Sequence, residues 1–156
     1  MTDQIHVRVG TPEDLDQVMA LAQMMHAEIG ITSLEPQRVL PEIWAALNLD
    51  RGIMGVIGAP GAPIEGAILL RYGKLFYSDE DILEERGLFV HPEFRAAKGG
   101  RAKLLCEFAK TASDQLGLKL LIGVMNAQGA EGKIRLYERQ FGAPCGVFFL
   151  HTPGVH

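Results

Sequence analysis

Two cysteines are all that the 156 residues contain, and Cys106 and Cys145 do not stand at metal-ligand spacing. No metal is expected. Both read as reduced thiols, Cys106 a small packing residue within a helical pattern rather than a nucleophile. Nowhere does the chain approach the roughly 18 uninterrupted apolar residues of a membrane helix. Its opening stretch, MTDQIHVRV, has no basic region followed by an apolar run. A soluble protein of the cytoplasm, without a membrane partner, is the expectation. Basic residues are outnumbered, 15 Lys and Arg against 19 Asp and Glu, and the net charge of −4 speaks against a general nucleic-acid surface. The G-x-x-x-x-G-K-[ST] pattern of a nucleotide-binding loop is absent. Repeats and low-complexity segments are missing too, so one domain over residues 1–156 is expected.

What is present is ordinary globular usage, 47% apolar and 22% charged. Ile5, Val7 and Val9 alternate with His6 and Arg8, a half-buried strand that stops at Gly10. Thr11 as N-cap, Pro12 at the first helical position and two acids in the first turn then start a helix, with Leu15, Val18, Met19, Ala22, Met25 and Ile29 as its buried face. His26, without a partner one turn away, reads as a surface or packing residue. A second helix is predicted from the Pro36–Pro41 region to about Leu49, with Ile43, Trp44 and Leu47 inward and Trp44 in the core or a pocket wall. Two apolar runs, IMGVIG and IEGAILL, flank a proline-glycine turn and predict a hairpin. Ile82 to Val90 is a strand. KLLIGV, residues 119–124, is apolar enough for a strand covered on both faces. Lys133 to Phe141 is a helix with Ile134, Leu136, Tyr137 and Phe141 as candidates for burial, and GVFFLH, residues 146–151, is the last strand.

The stretch from Phe89 to Lys110, FVHPEFRAAKGGRAKLLCEFAK, organises the rest: a strand end, a turn at His91-Pro92, a loop with Gly99 and Gly100, and a helix. The helix's apolar stripe is Leu104, Leu105, Phe108, Ala112 and Leu116. Glycines at a helix mouth let backbone approach a ligand, and the unpaired N–H groups there attract anions. Arg95, Lys98, Arg101 and Lys103 put four cations there without an acid, although cations in a first turn oppose the helix dipole at roughly 0.3–1 kcal/mol each. A bound polyanion such as phosphate would reverse that penalty. A solvated basic helix start is the other reading of the same residues.

Val90-His91-Pro92-Glu93-Phe94-Arg95, followed by Gly100 and Leu104-Leu105, resembles the coenzyme-A-binding segment of the GNAT acetyltransferase superfamily. That signature is Gln or Arg, two residues, Gly, one residue, then Gly or Ala; here Lys98 occupies the middle glycine place and Gly99 follows it. Leu136-Tyr137-Glu138-Arg139 is similar to the family's late helix, where a tyrosine sits near the coenzyme A sulfur. The resemblance implies a mixed α/β fold: a central twisted, mostly antiparallel sheet with a parallel pair splayed at the cofactor site, flanked by about four helices. It implies acetyl-coenzyme A as cosubstrate, held by Leu88, Phe89, Val90, Arg95, Ala96, Ala97, Lys98, Gly99, Gly100, Arg101, Asn126 and Lys133. It leaves a homodimer open.

The implied activity is an N-acetyltransferase that moves an acetyl group to a primary amine of a small molecule or peptide by direct attack. Such an amine, pKa ~10.4, must lose a proton near pH 7, at a cost of ~4.6 kcal/mol. Glu85, on the strand approaching the acetyl site, is the first choice of base, and Glu84 the alternative because side chains alternate across a sheet. Tyr137 is the candidate acid for the departing thiolate, against the plainer reading of a packed helix tyrosine. Asp79, Glu80, Asp81, Glu84 and Glu85 form an acidic run that reads either as solvated loop and strand edge or as a rim drawing a cationic amine. The rival from another class is a non-catalytic acyl-coenzyme-A-binding regulatory module.

Overall fold

A computed structural model describes residues 4–95, 99–126 and 130–155. In chain order the elements are β1 (Arg8–Val9), α1 (Leu15–Ile29), α2 (Pro36–Leu47), β2 (Gly52–Ile57), β3 (Gly66–Gly73) and β4 (Ile82–Val90). There follow the single turn α3 (Pro92–Arg95), α4 (Arg101–Leu116), β5 (Leu120–Leu121) and α5 (Glu131–Phe141). The five strands lie in sequence order, antiparallel from β1 to β4, and β5 joins β4 in parallel. This is the mixed α/β sheet that the sequence predicts, with the parallel pair at its edge.

The sheet separates two cores because both faces of its central strands are apolar. On one side Ile68, Leu70, Leu83, Leu88 and Val90 pack against Leu105, Cys106 and Ala109 of α4 and Tyr137 of α5. On the other, Met54, Val56, Ala67 and Phe89 meet Val18 and Leu21 of α1 and Ile43 and Leu47 of α2. Each fully buried side chain of this size contributes roughly 1.5–3 kcal/mol.

One irregularity positions the site. Leu69 pairs with Gly87 and Leu70 with Glu85, so Arg86 is an extra residue in β4. In a regular strand Glu85 and Leu88 would face opposite sides. The bulge restores the phase, and Leu83, Glu85, Leu88 and Val90 all turn toward α4 and α5.

The start of α1 is fixed by Asp14, which is 2% exposed. Arg8 grips it through two hydrogen bonds, 2.9 and 2.8 Å, and the Thr11 N–H donates to it at 2.8 Å. The hydrogen bonds from Arg8 hold the carboxyl below the usual carboxylate range. Asp14 is thus a structural acid.

Several expectations are corrected. Trp44 is exposed, because Ile43 and Leu47, one turn apart, form the inward stripe of α2 and leave its neighbour outside. In α4 the buried row is Leu105, Cys106, Ala109 and Ala112, and Leu116 lies outside it. Ile134 is exposed on α5. Only Leu120 and Leu121 pair as β5, and coverage is one-sided: Leu120, Ile122 and Val124 pack on the core while Leu121 and Met125 face outward. The predicted last strand is absent, and Phe148 and Phe149 are 86% and 93% exposed. That segment finds no ladder to join within the described residues.

Candidate active site

β4 and β5 pair only at Leu83 with Leu120 and Glu84 with Leu121. Beyond Glu84 the β5 side of β4 has no strand partner, and the two chains diverge. A groove of about 760 Å³ occupies this divergence, walled by Leu88, Phe89 and Val90, by Phe94 and Arg95, and by the first turn of α4. Asn126 after β5, and Lys133, Leu136 and Arg139 on α5, close its other side. An open α/β sheet takes ligands where strands part in this way.

At the mouth of α4, Gly99 has φ +125° and Gly100, the N-cap, has φ +58°. A Cβ on Gly99 would also run into Ile5 Cδ1. Glycine alone satisfies both constraints there. The backbone turn leaves the first N–H groups of a 16-residue helix facing the groove, with Lys103 exposed beside them.

The predicted cations divide. Arg95 sets its guanidinium 4.7 Å over the Phe89 ring, donates Nε to the Val90 carbonyl at 2.9 Å and pairs with Glu28 at 2.8 Å. Arg101 is buried, pairs with Glu65 at 2.6 Å and lies 4.8 Å over Phe94. Both guanidiniums brace the groove's walls. Lys103 and Arg139 make no ion pair among the described residues and line the same groove. Ala96, Ala97 and Lys98, also expected to hold the cofactor, lie outside the described residues.

Beside the groove, Tyr137 donates its hydroxyl to Glu85 Oε1 at 3.3 Å. Lys133 donates Nζ to the Leu88 carbonyl at 3.0 Å and sits 5.8 Å from the Tyr137 ring centre. Burial pushes the Glu85 carboxyl up to about 7, against the opposing pull of the Lys133 charge and the Tyr137 hydrogen bond. Burial, then the Glu85 charge, drives the Tyr137 phenol far above its ordinary value. Burial lowers Lys133, which the Glu85 charge partly offsets. A carboxyl that titrates near neutrality beside a phenol held protonated is an arrangement for moving protons.

Glu84 is on the other face of β4, paired with Arg86 at 2.7 Å and lying against Gly73. Of the two acids it is Glu85 that meets Tyr137. The expected acidic rim is also spent elsewhere: Asp81 bonds Lys74 and Arg51, and Glu80 pairs with Lys119, at the end of β4 away from the groove. Cys106 is buried, and burial raises its thiol to about 11, which makes it inert. Among the described residues no cluster of His, Cys, Asp and Glu is arranged to hold a metal. No helix among them is long and apolar enough to cross a membrane.

Sequence reasoning missed Glu28, Met25 and Ile29, which bring the end of α1 to the groove, and Glu65, the partner of Arg101. Nothing local to those residues marks where α1 ends in space.

No protein-family model and no curated protein matches the chain by sequence. Solved structures do match along its whole length. A possible acetyltransferase from Clostridium difficile 630 is 17% identical with a TM-score of 0.71, the match covering 99% of this chain and 100% of that one. The aminoglycoside acetyltransferase AAC(6')-Iy, solved with the bisubstrate analogue CoA-S-monomethyl-acetylneamine, is 13% identical, TM-score 0.71, over 98% and 100% of the two chains. An integron cassette protein from the mobile metagenome of Cole Harbour Salt Marsh is 20% identical, TM-score 0.70, over 97% and 91%. At these identities the likeness establishes the architecture, and the chain has the fold of the GNAT acetyltransferases.

Proposed function

We propose that this chain is an acetyl-coenzyme-A-dependent N-acetyltransferase acting on a primary amine. The observation that carries this reading is the groove at the β4–β5 divergence, with the N-terminus of α4 and Lys103 on one wall, Arg139 on the other, neither cation in an ion pair among the described residues, and the Glu85–Tyr137 pair beside it. Lys103, Arg139 and the first N–H groups of α4 suit the phosphates, and the edge of β4 from Glu85 to Val90, which has no strand partner among the described residues and whose Leu88 and Val90 carbonyls are held by Lys133 and Arg95, suits with Asn126 the amides of the pantetheine arm. The solved neighbour AAC(6')-Iy carries a coenzyme A derivative on the same fold, which supports the assignment.

Glu85 accepts the proton that the ammonium must lose, directly or through one water, and the amine attacks the thioester carbonyl. The tetrahedral adduct then collapses, the C–S bond breaks, and the thiolate takes a proton from Tyr137. A phenolate beside an ionised Glu85 is strongly disfavoured, so Tyr137 gives its proton up only as Glu85 hands it the one taken from the amine. Protons balance: two leave nitrogen, one from the ammonium before attack, which reaches sulfur through Glu85 and Tyr137, and one from the nitrogen of the adduct as it collapses, which goes to solvent. Glu85, titrating at about 7, is basic enough to accept the proton and acidic enough to pass it on.

Calorimetry with coenzyme A tests the groove. Lys103→Glu, on an exposed site, should weaken binding at least tenfold at low salt and leave folding unchanged. Equal affinity in the variant would put the phosphates elsewhere. Tight binding of acetyl-coenzyme A without turnover of any amine would favour the acyl-coenzyme-A-binding module.

A further inference from the structure

On the face of the sheet opposite Glu85 and Tyr137, α1, α2 and strands β2 to β4 line a second, half-open cavity of about 320 Å³. That is large enough for a small organic ligand, whose sites start at roughly 300 Å³. Its walls are apolar, including Leu21, Leu34, Val39, Ile43, Leu69 and Phe89. Gly87 contributes no side chain, and the space is bounded there by Met25, whose Cε would lie 2.9 Å from a Cβ at that position. Met25, Ile29 and Phe89 wall both this cavity and the coenzyme groove, so the two adjoin.

Charge at the cavity is sparse and nearly balanced, with no surplus of acids to draw a polycation. Arg38 and Arg86 line it along with Glu35, and Glu84 already neutralises Arg86. The acids that might draw several amines, Asp81 and Glu80, hold Lys74, Arg51 and Lys119 instead.

Resting on the acetyltransferase reading above, we infer that this cavity seats the acceptor, and that the acceptor is a monoamine with a bulky apolar body, an arylalkyl or branched alkyl amine. The apolar body fills the space between α1, α2 and the sheet, and the amine projects past Met25 and Phe89 toward the thioester. This sets the chain apart from its aminoglycoside-acetylating neighbours, whose acceptors are polar polycations.

The experiment pairs acetyl-coenzyme A with tryptamine, 2-phenylethylamine, an alkylamine series and kanamycin, and follows the acetylated product by mass spectrometry. Apolar monoamines should show kcat/KM at least 10²-fold above kanamycin, rising about fourfold per added methylene until the cavity is full. Ala22→Trp fills the cavity from α1 and should lower kcat/KM for tryptamine at least tenfold while coenzyme A affinity holds. Val39→Trp does the same from α2 should the first variant misfold. Preference for kanamycin, or indifference to both tryptophans, overturns the inference. So does octanoyl-coenzyme A binding more tightly than acetyl-coenzyme A in a manner that Ala22→Trp abolishes, because the cavity would then hold an acyl chain. Failure to bind coenzyme A at all would remove the acetyltransferase reading and this inference together. Intact coenzyme A binding with inert apolar amines removes this inference alone.

Discussion

The Tyr137 hydroxyl donates to Glu85 Oε1 across 3.3 Å, joining residues 52 positions apart from a helix and a strand. Neither would be placed for this by local sequence. The bulge at Arg86 turns Glu85 to the α5 side, and burial of Tyr137 on α5 brings the phenol down onto it. Burial raises both groups; within that, the phenol's hydrogen bond draws the carboxyl back down and the carboxylate's charge helps keep the phenol protonated.

With Glu85 titrating at about 7, kcat/KM for an amine acceptor should rise with pH through a limb centred near that value as the carboxyl loses its proton. Glu85→Gln should lower kcat/KM most near neutrality and less at high pH, where the amine is already free. Rate profiles from pH 5.5 to 9.5 decide the matter: a neutral limb that survives in the variant belongs to another group.

Glu85 also links stability to pH. A carboxyl whose folded pKa of about 7 exceeds its ordinary 4.5 binds its proton more tightly when folded, so its contribution is present below 4.5 and is lost as pH rises through 7. Glu85→Gln cannot ionise. Relative to the parent it should be more stable at pH 8 by roughly 1–3 kcal/mol, the gap closing toward pH 4.5. Urea unfolding at the two pH values measures it, and a gap of the same size at both would point to packing instead.

How far the sequence reaches is seen at β4 and at the cations. The bounds of Ile82–Val90 were legible, because apolar residues open and close it and polar turns flank it on both sides, but the bulge at Arg86 within it was not. The glycine loop and the start of α4 were legible as well. The fates of Arg95 and Arg101 were not, since their acids, Glu28 and Glu65, lie 67 and 36 residues away and meet them only in three dimensions. Trp44 was misjudged because a stripe of apolar residues does not say which of two neighbours turns inward. For GVFFLH, composition gave the propensity of a strand, but a strand also needs an edge to pair with.

Arg101 and Lys103, two residues apart, should behave oppositely. Arg101→Ala leaves Glu65 without its buried partner and should cost roughly 2–4 kcal/mol of stability. Lys103→Ala, at the surface, should change stability by less than about 0.5 kcal/mol and weaken coenzyme A binding in a salt-dependent way. Thermal unfolding with calorimetry separates the two roles; equal destabilisation by both would contradict them.

Phe148 and Phe149 touch little, so Phe148→Ser together with Phe149→Ser should leave the unfolding free energy within about 0.5 kcal/mol of the parent and improve solubility. A loss of several kcal/mol in dilute protein would mean that the rings are buried in solution.

Tyr137→Phe tests the proton path most directly. The ring and its edge-on contact with Phe141 at 5.8 Å remain, so packing is kept and acetyl-coenzyme A affinity should hold. The proton for sulfur is lost, and kcat should fall by something like the 10²–10⁴-fold typical of a missing general acid. The loss is bounded because a thiolate with pKa near 8.5 is a tolerable leaving group unassisted. A second signature distinguishes the relay from mere packing. The hydroxyl's hydrogen bond lowers the Glu85 pKa, so its removal should move the limb near 7 to higher pH. A fall in kcat with the limb unmoved would separate the phenol from Glu85, and an unchanged kcat on a confirmed acceptor would remove Tyr137 from the chemistry.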